Sequence, residues 1–169
     1  MFTKNDLIEL AQQFPFDETQ FSFPEGWDFS GITQCLKYSS YGFYCPNEQY
    51  IRITRADKHI QQQFPGRYPN KNLLFWINSE TYEGFFMPMK ELYQDHLINA
   101  LFEPLNVQSW EKLVADWCRD LKSPPTLPLN PTDTFIRGIL LHDFRTDLCI
   151  SAVAEYQNEL IHFLWETSA

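Results

Sequence analysis

The sequence predicts a single α+β domain, a mostly antiparallel sheet ending in a C-terminal three-stranded meander and packed against about three helices. Three observations carry this expectation. The last part of the chain holds three strand-like segments, about 134–144, 147–156 and 159–166, parted by Arg145-Thr146 and Gln157-Asn158; connections this short join antiparallel neighbours. Apolar residues recur at three-four spacing from Val107 to Leu121, the pattern of one buried helix face. The 169 residues suffice for one domain (1–169) with a real core and little more.

From the N-terminus, Thr3 and Asp6 stand in capping-box positions, and Leu7, Leu10, Ala11 and Phe14 share a helical face that Pro15 ends. Residues 15–30 follow neither period. Strands are expected at about 31–39 and 48–55, the latter with β-branched residues in alternation. The polar, basic stretch from Ala56 to Asn72 reads as loop with one helical turn, and Leu73–Asn78 and Gly84–Met87 as a strand pair. A helix after Pro88 presents Tyr93, Leu97, Ala100 and Leu101 and stops at Pro104. The next helix presents Val107, Trp110, Leu113, Val114, Trp117, Cys118 and Leu121. Residues 122–133 contain four prolines and form a connector between the helical part and the meander. Both faces of the last two strands are apolar, with Ile161, Phe163 and Trp165 opposing Leu160 and Leu164. Either both sides are covered, or one is offered to a partner or a second copy.

Composition narrows function. Twenty-two acidic residues against 13 basic ones give a net charge of −9, which disfavours binding to nucleic acid or anionic lipid. No apolar run approaches a membrane span, and acids at Asp6 and Glu9 interrupt any leader-like stretch, so the expected compartment is the cytoplasm. Cys35, Cys45, Cys118 and Cys149 show no metal or redox spacing and read as reduced, mostly buried thiols. His59, His96, His142 and His162 are dispersed, and no nucleophile elbow or phosphate-binding loop occurs. Neither a metal nor a cofactor is expected, and the reading leans away from an enzyme.

Between Tyr50 and Asn72, Arg52, Arg55, Lys58, Arg67 and Lys71 face Asp57 alone, with Tyr50, Phe64 and Tyr68 interleaved. That composition suits a stacking surface for single strands, but the acidity of the rest favours a solvated loop pairing with the chain's own acids. The run from His142 to Asp147 is the densest polar cluster; adjacent strand residues point to opposite faces, so His142 and Asp143 are poorly placed to cooperate. Lys122–Pro128 carries a PxxP pattern that a connector also explains.

The most unusual segment is Phe14–Phe29, where six large rings alternate with Asp17, Glu18, Glu25 and Asp28. Aromatic anchors ringed by acids suit a basic partner surface. The functional expectation is an acidic protein-binding module that neutralises a basic protein, such as a bacterial toxin, through Asp17, Glu18, Glu25, Trp27 and Asp28. Bacterial immunity proteins are similar in size and charge alone. The alternative is a small-molecule binder or enzyme with a pocket between sheet and helices, lined by Arg137, His142 and Glu155.

Overall fold

The computed structural model describes residues 4–5, 8–9, 32–39, 49–58, 90–119, 124–128, 130–142 and 149–167. Along them run β1 (Ile32–Ser39), β2 (Gln49–Asp57), α1 (Lys90–Asn99), β3 (Leu101–Leu105), α2 (Val107–Trp117), β4 (Phe135–His142), β5 (Cys149–Tyr156) and β6 (Glu159–Thr167). The strands form one antiparallel sheet in the order β1-β2-β6-β5-β4-β3, so the chain is a sheet-rich α+β protein. The expected strand pair at 73–78 and 84–87 lies outside the described residues. So does most of the expected N-terminal helix, of which residues 4–5 and 8–9 are helical.

Strand β6 organises the sheet. It pairs with β5 through the two-residue Gln157-Asn158 turn and with β2, about a hundred residues earlier, in unbroken register from Gln49↔Thr167 to Asp57↔Glu159. The turn is tied down from several sides. Asn158 donates its backbone N–H and side-chain amide to Asp133 at 3.2 and 3.0 Å, Gln157 N–H donates to Thr134 O, and Lys58 N–H to Asn158 O.

Alternation sorts the side chains onto two faces. One carries Ile51 and Ile53 of β2, Ile161, Phe163 and Trp165 of β6, Ala152, Ala154 and Tyr156 of β5, and Leu140 of β4. Trp110, Val114 and Cys118 of α2 bury themselves on this face, and the small residues Ala152 and Ala154 leave room for the larger rings. Trp117 lies over Trp165 with ring centroids 4.3 Å apart. At Gly138, opposite Leu105 in the register, an added Cβ would meet Leu105 Cβ at 3.1 Å, so a side chain there would push β3 and β4 apart.

On the other face, Leu141, Val153, Leu160 and Leu164 are buried as well. The sheet centre is therefore buried on both sides, while Leu101 of β3 and Ile136 of β4 are exposed.

The α2 helix begins where Asn106 accepts the Ser109 N–H on its side-chain oxygen at 2.8 Å, a cap that spacing alone did not single out. The helix expected to run from Pro88 to Pro104 is corrected: it ends at Asn99, and Leu101–Leu105 is a strand. Pro104 does not stop a helix but sits in the outer strand of the described sheet, where proline is tolerated. Leu101, read as a buried helical residue, is 56% exposed, while Ala100, at the helix exit, is fully buried. Lys4 Nζ donates to Ile98 O and Ala100 O at 2.7 Å each, closing that exit with a cation, as the helix dipole favours.

Truncating Phe163, wholly buried at the sheet centre, to Ala should cost about 3–5 kcal/mol in denaturant unfolding. Asn106→Ala should cost about 1 kcal/mol by the same measurement. A smaller loss at Phe163 than at Asn106 would contradict this account of the core.

Candidate functional site

Of the sequence-predicted positions, Asp17, Glu18, Glu25, Trp27 and Asp28 lie outside the described residues. The structure does place Arg137, Glu155 and His142. Arg137 and Glu155 are direct register partners across β4 and β5, and Arg137 Nε donates to Glu155 Oε2 at 2.6 Å. Lys58 Nζ takes the other carboxylate oxygen at 2.8 Å and reaches Tyr156 O at 3.1 Å. His142 pairs with Leu101 at the far end of β4. Five residues at about 3.3 Å each separate it from Arg137, and the alternation puts it on the opposite face. The three residues therefore do not line one pocket.

Burial pushes the Glu155 carboxyl up, but the hydrogen bond and charge of Lys58, with those of Arg137, outweigh it and hold the group below its ordinary value. A carboxylate saturated by two cations is a poor proton acceptor, and its geometry fits a brace between β5, β4 and the end of β2.

Part of the basic stretch belongs to the sheet. Arg52 and Arg55, within the strand expected at about 48–55, stand inside β2, 5% and 2% exposed, and Lys58 follows directly. Arg55 pairs with Glu159 and Lys58 with Glu155. For Arg55 and Lys58 the expected pairing with the chain's own acids is present, Arg55 within β2 and Lys58 just after it. The strand was readable through Arg55; it runs on to Asp57, and Glu159 of β6 provides the counter-charge for Arg55.

Two arrangements were not anticipated. Ser151 Oγ and His162 Nε2 lie 2.8 Å apart on the second face, with the residues 1% and 0% exposed. Thr54, also buried, is the direct register partner of His162 on β2. The signal was available: the two-residue Gln157-Asn158 turn fixes the β5–β6 register, which makes Ser151 and His162 diagonal neighbours. A serine and a histidine in contact can serve nucleophilic chemistry, but substrate would have no access to groups so enclosed. The pair acts as a polar strut in a buried layer that also holds Thr54 and Arg52 beside Val153, Leu160 and Leu164.

The other arrangement is a cleft of about 450 Å³ along one flank of α2. Trp110, Val114 and Cys118, spaced four apart, form its floor. Glu111, Ala115 and Arg119, the adjacent ridge, form one rim, and Pro124, Pro125 and Leu127 form the facing wall. Leu127 packs against the core, so this part of the PxxP segment is engaged within its own chain. Burial pushes the Cys118 thiol up to about 11, which keeps it neutral and unreactive as a nucleophile. Burial likewise takes Tyr156, hydrogen-bonded to Trp110, to about 12. Arg119 and Lys112 both bond Asp116, at 2.7 and 2.5 Å, whereas Glu111 has no ion-pair partner among the described residues. The histidines, cysteines and carboxylates form no group of three suited to a metal among those residues.

Neither protein-family models, nor curated proteins, nor solved structures match this chain at a significant level.

Removing one half of the buried polar strut should be costly: Ser151→Ala is expected to lose about 1–3 kcal/mol in chemical denaturation. A double-mutant cycle with His162→Leu should return a coupling of about 1 kcal/mol. For Glu155 the sign follows from its depressed folded-state value. Its stabilisation is present above the unfolded value near 4.5 and is lost as pH falls through the folded one. Urea titrations across the acid range should therefore show Glu155→Gln less stable at neutral pH and less acid-sensitive below about pH 4.5. An unchanged acid limb would count against the bridge.

Proposed function

We propose that this chain is an acidic protein-binding module, an immunity-type inhibitor acting in the cytoplasm on a basic protein such as a bacterial toxin. The observation that carries the reading is where its cations go. Arg55, Lys58 and Arg137 are spent on Glu159 and Glu155, and Lys112 and Arg119 share Asp116. The net charge is −9; Arg55, Lys58 and Arg137 are held within or beside the sheet, Lys112 and Arg119 stay exposed around Asp116, and exposed acids such as Glu9, Glu103 and Glu111 contribute to the outer field. A negative field of this kind accelerates encounter with a cationic protein, while a few buried anchors hold the complex. The proposed contact set is Asp17, Glu18, Glu25 and Asp28 around Trp27. In the same reading the architecture is completed by an N-terminal helix, the third, and the β4–β5–β6 strands serve as a C-terminal meander.

A second reading, a small-molecule binder, is favoured by the α2 cleft, whose volume falls in the range of small-ligand sites. No helix among the described residues is long and apolar enough to cross a membrane.

The test is retention of native-extract proteins on the immobilised chain over a salt series. A basic protein held in equimolar amount, released as ionic strength rises and lost when Asp17, Glu18, Glu25 and Asp28 are together changed to Lys, is the expected outcome. Retention of no basic protein, together with a metabolite that raises the melting temperature, would transfer the assignment to the second reading.

A further inference from the structure

The flank of α2 carries chemistry that the proposed contact set does not use. Glu111, Ala115 and Arg119 follow one another at intervals of four, so the cleft runs along the helix for about 12 Å. Its floor of Trp110, Val114 and Cys118 is apolar, and the thiol contributes no charge. At the centre of the rim stands Ala115, the smallest side chain available short of glycine, and it lowers the wall where a longer residue would close it.

The two rim charges are not equivalent. Arg119, at one end, already donates to Asp116, which Lys112 also holds from the preceding turn. Glu111, at the other, is exposed and has no cationic partner among the described residues. An apolar trough ending in an uncompensated carboxylate complements an aliphatic stem that ends in a cation. Lysine and arginine have that form, burying their methylenes while the head stays at a polar boundary. A carboxylate-ended chain would meet repulsion from Glu111 at one end, and at the other an arginine already bonded to Asp116, a carboxylate that it shares with Lys112.

We propose that the cleft between α2 and Pro124–Leu127 receives a lysine or arginine side chain of the basic partner. The stem lies along the Trp110–Val114 floor, and the charged head meets Glu111. This rests on the acidic-module reading and adds to it a recognition pocket away from the N-terminal acids.

Hexylammonium serves as the probe, with hexanol and hexanoate as neutral and anionic analogues, and the Trp110 indole N–H resonance as the reporter. Hexylammonium should bind more tightly than hexanol, and hexanol more tightly than hexanoate. Glu111→Gln should weaken hexylammonium by roughly threefold, the scale of an exposed ion pair, and leave hexanol unchanged. Ala115→Trp, on an exposed helical position, should abolish the response to all three; Ala115→Leu is the milder form if Trp disturbs folding. Hexanoate binding as tightly as hexylammonium overturns the proposal, as does full hexylammonium binding in a folded Ala115→Trp or Ala115→Leu chain. Salt-sensitive retention of a basic protein that survives Ala115→Trp would remove the cleft from the interface while leaving the broader reading standing. Loss of retention by the unmodified chain would remove the reading itself.

Discussion

Strand β6 has buried residues on both sides and a hydrogen-bonded neighbour along each edge, and this enclosure dictates much of what surrounds it. From Leu160 to Trp165 every residue is buried between β2 and β5. Phe163 finds Ile53 and Ala152; His162 finds Thr54 and, diagonally, Ser151. A polar residue in such a position must have its hydrogen bonds met inside the protein. The nine-residue pairing of β2 with β6 also brings a segment near residue 50 against the end of the chain, a long loop closure that only extensive contact offsets.

Charge follows the same logic. β2 carries Arg52 and Arg55 into the sheet, and the desolvation of buried guanidinium groups would oppose folding if no counter-charge came with them. Glu159 and Glu155, at the start of β6 and the end of β5, arrive through the same hairpin and neutralise Arg55, Lys58 and Arg137. The ion pairs are therefore part of the strand register rather than an addition to it. Their effect reaches the exterior, because cations committed to the sheet cannot offset acids on the surface.

How much of this was legible in the sequence depended on whether the controlling contact was local. The α2 helix was readable from its own spacing, and β5 and β6 from alternation and a two-residue turn. Their observed bounds, Cys149–Tyr156 and Glu159–Thr167, differ from the expected ones by a residue or two at the ends. β3 was misread because Leu97, Ala100 and Leu101 continue a helical period, and only the ladder with β4 shows that the chain turns at Ala100. The candidate site was less legible. Arg137 and Glu155 meet through a register that includes a bulge near Phe135, a feature without a clear local signature. The cleft needs the 124–127 segment laid beside α2, and no pattern within either segment announces that approach.

The Gln157-Asn158 connection has a consequence for how this chain can change over generations. Because side chains alternate, a slip of β6 by one residue against β5 would turn it over, sending His162 toward Trp110 and Phe163 toward Ser151. A residue gained at this hairpin in later lineages must therefore be taken up in the loop itself, as a three-residue turn or a bulge, and not in the strand pairing.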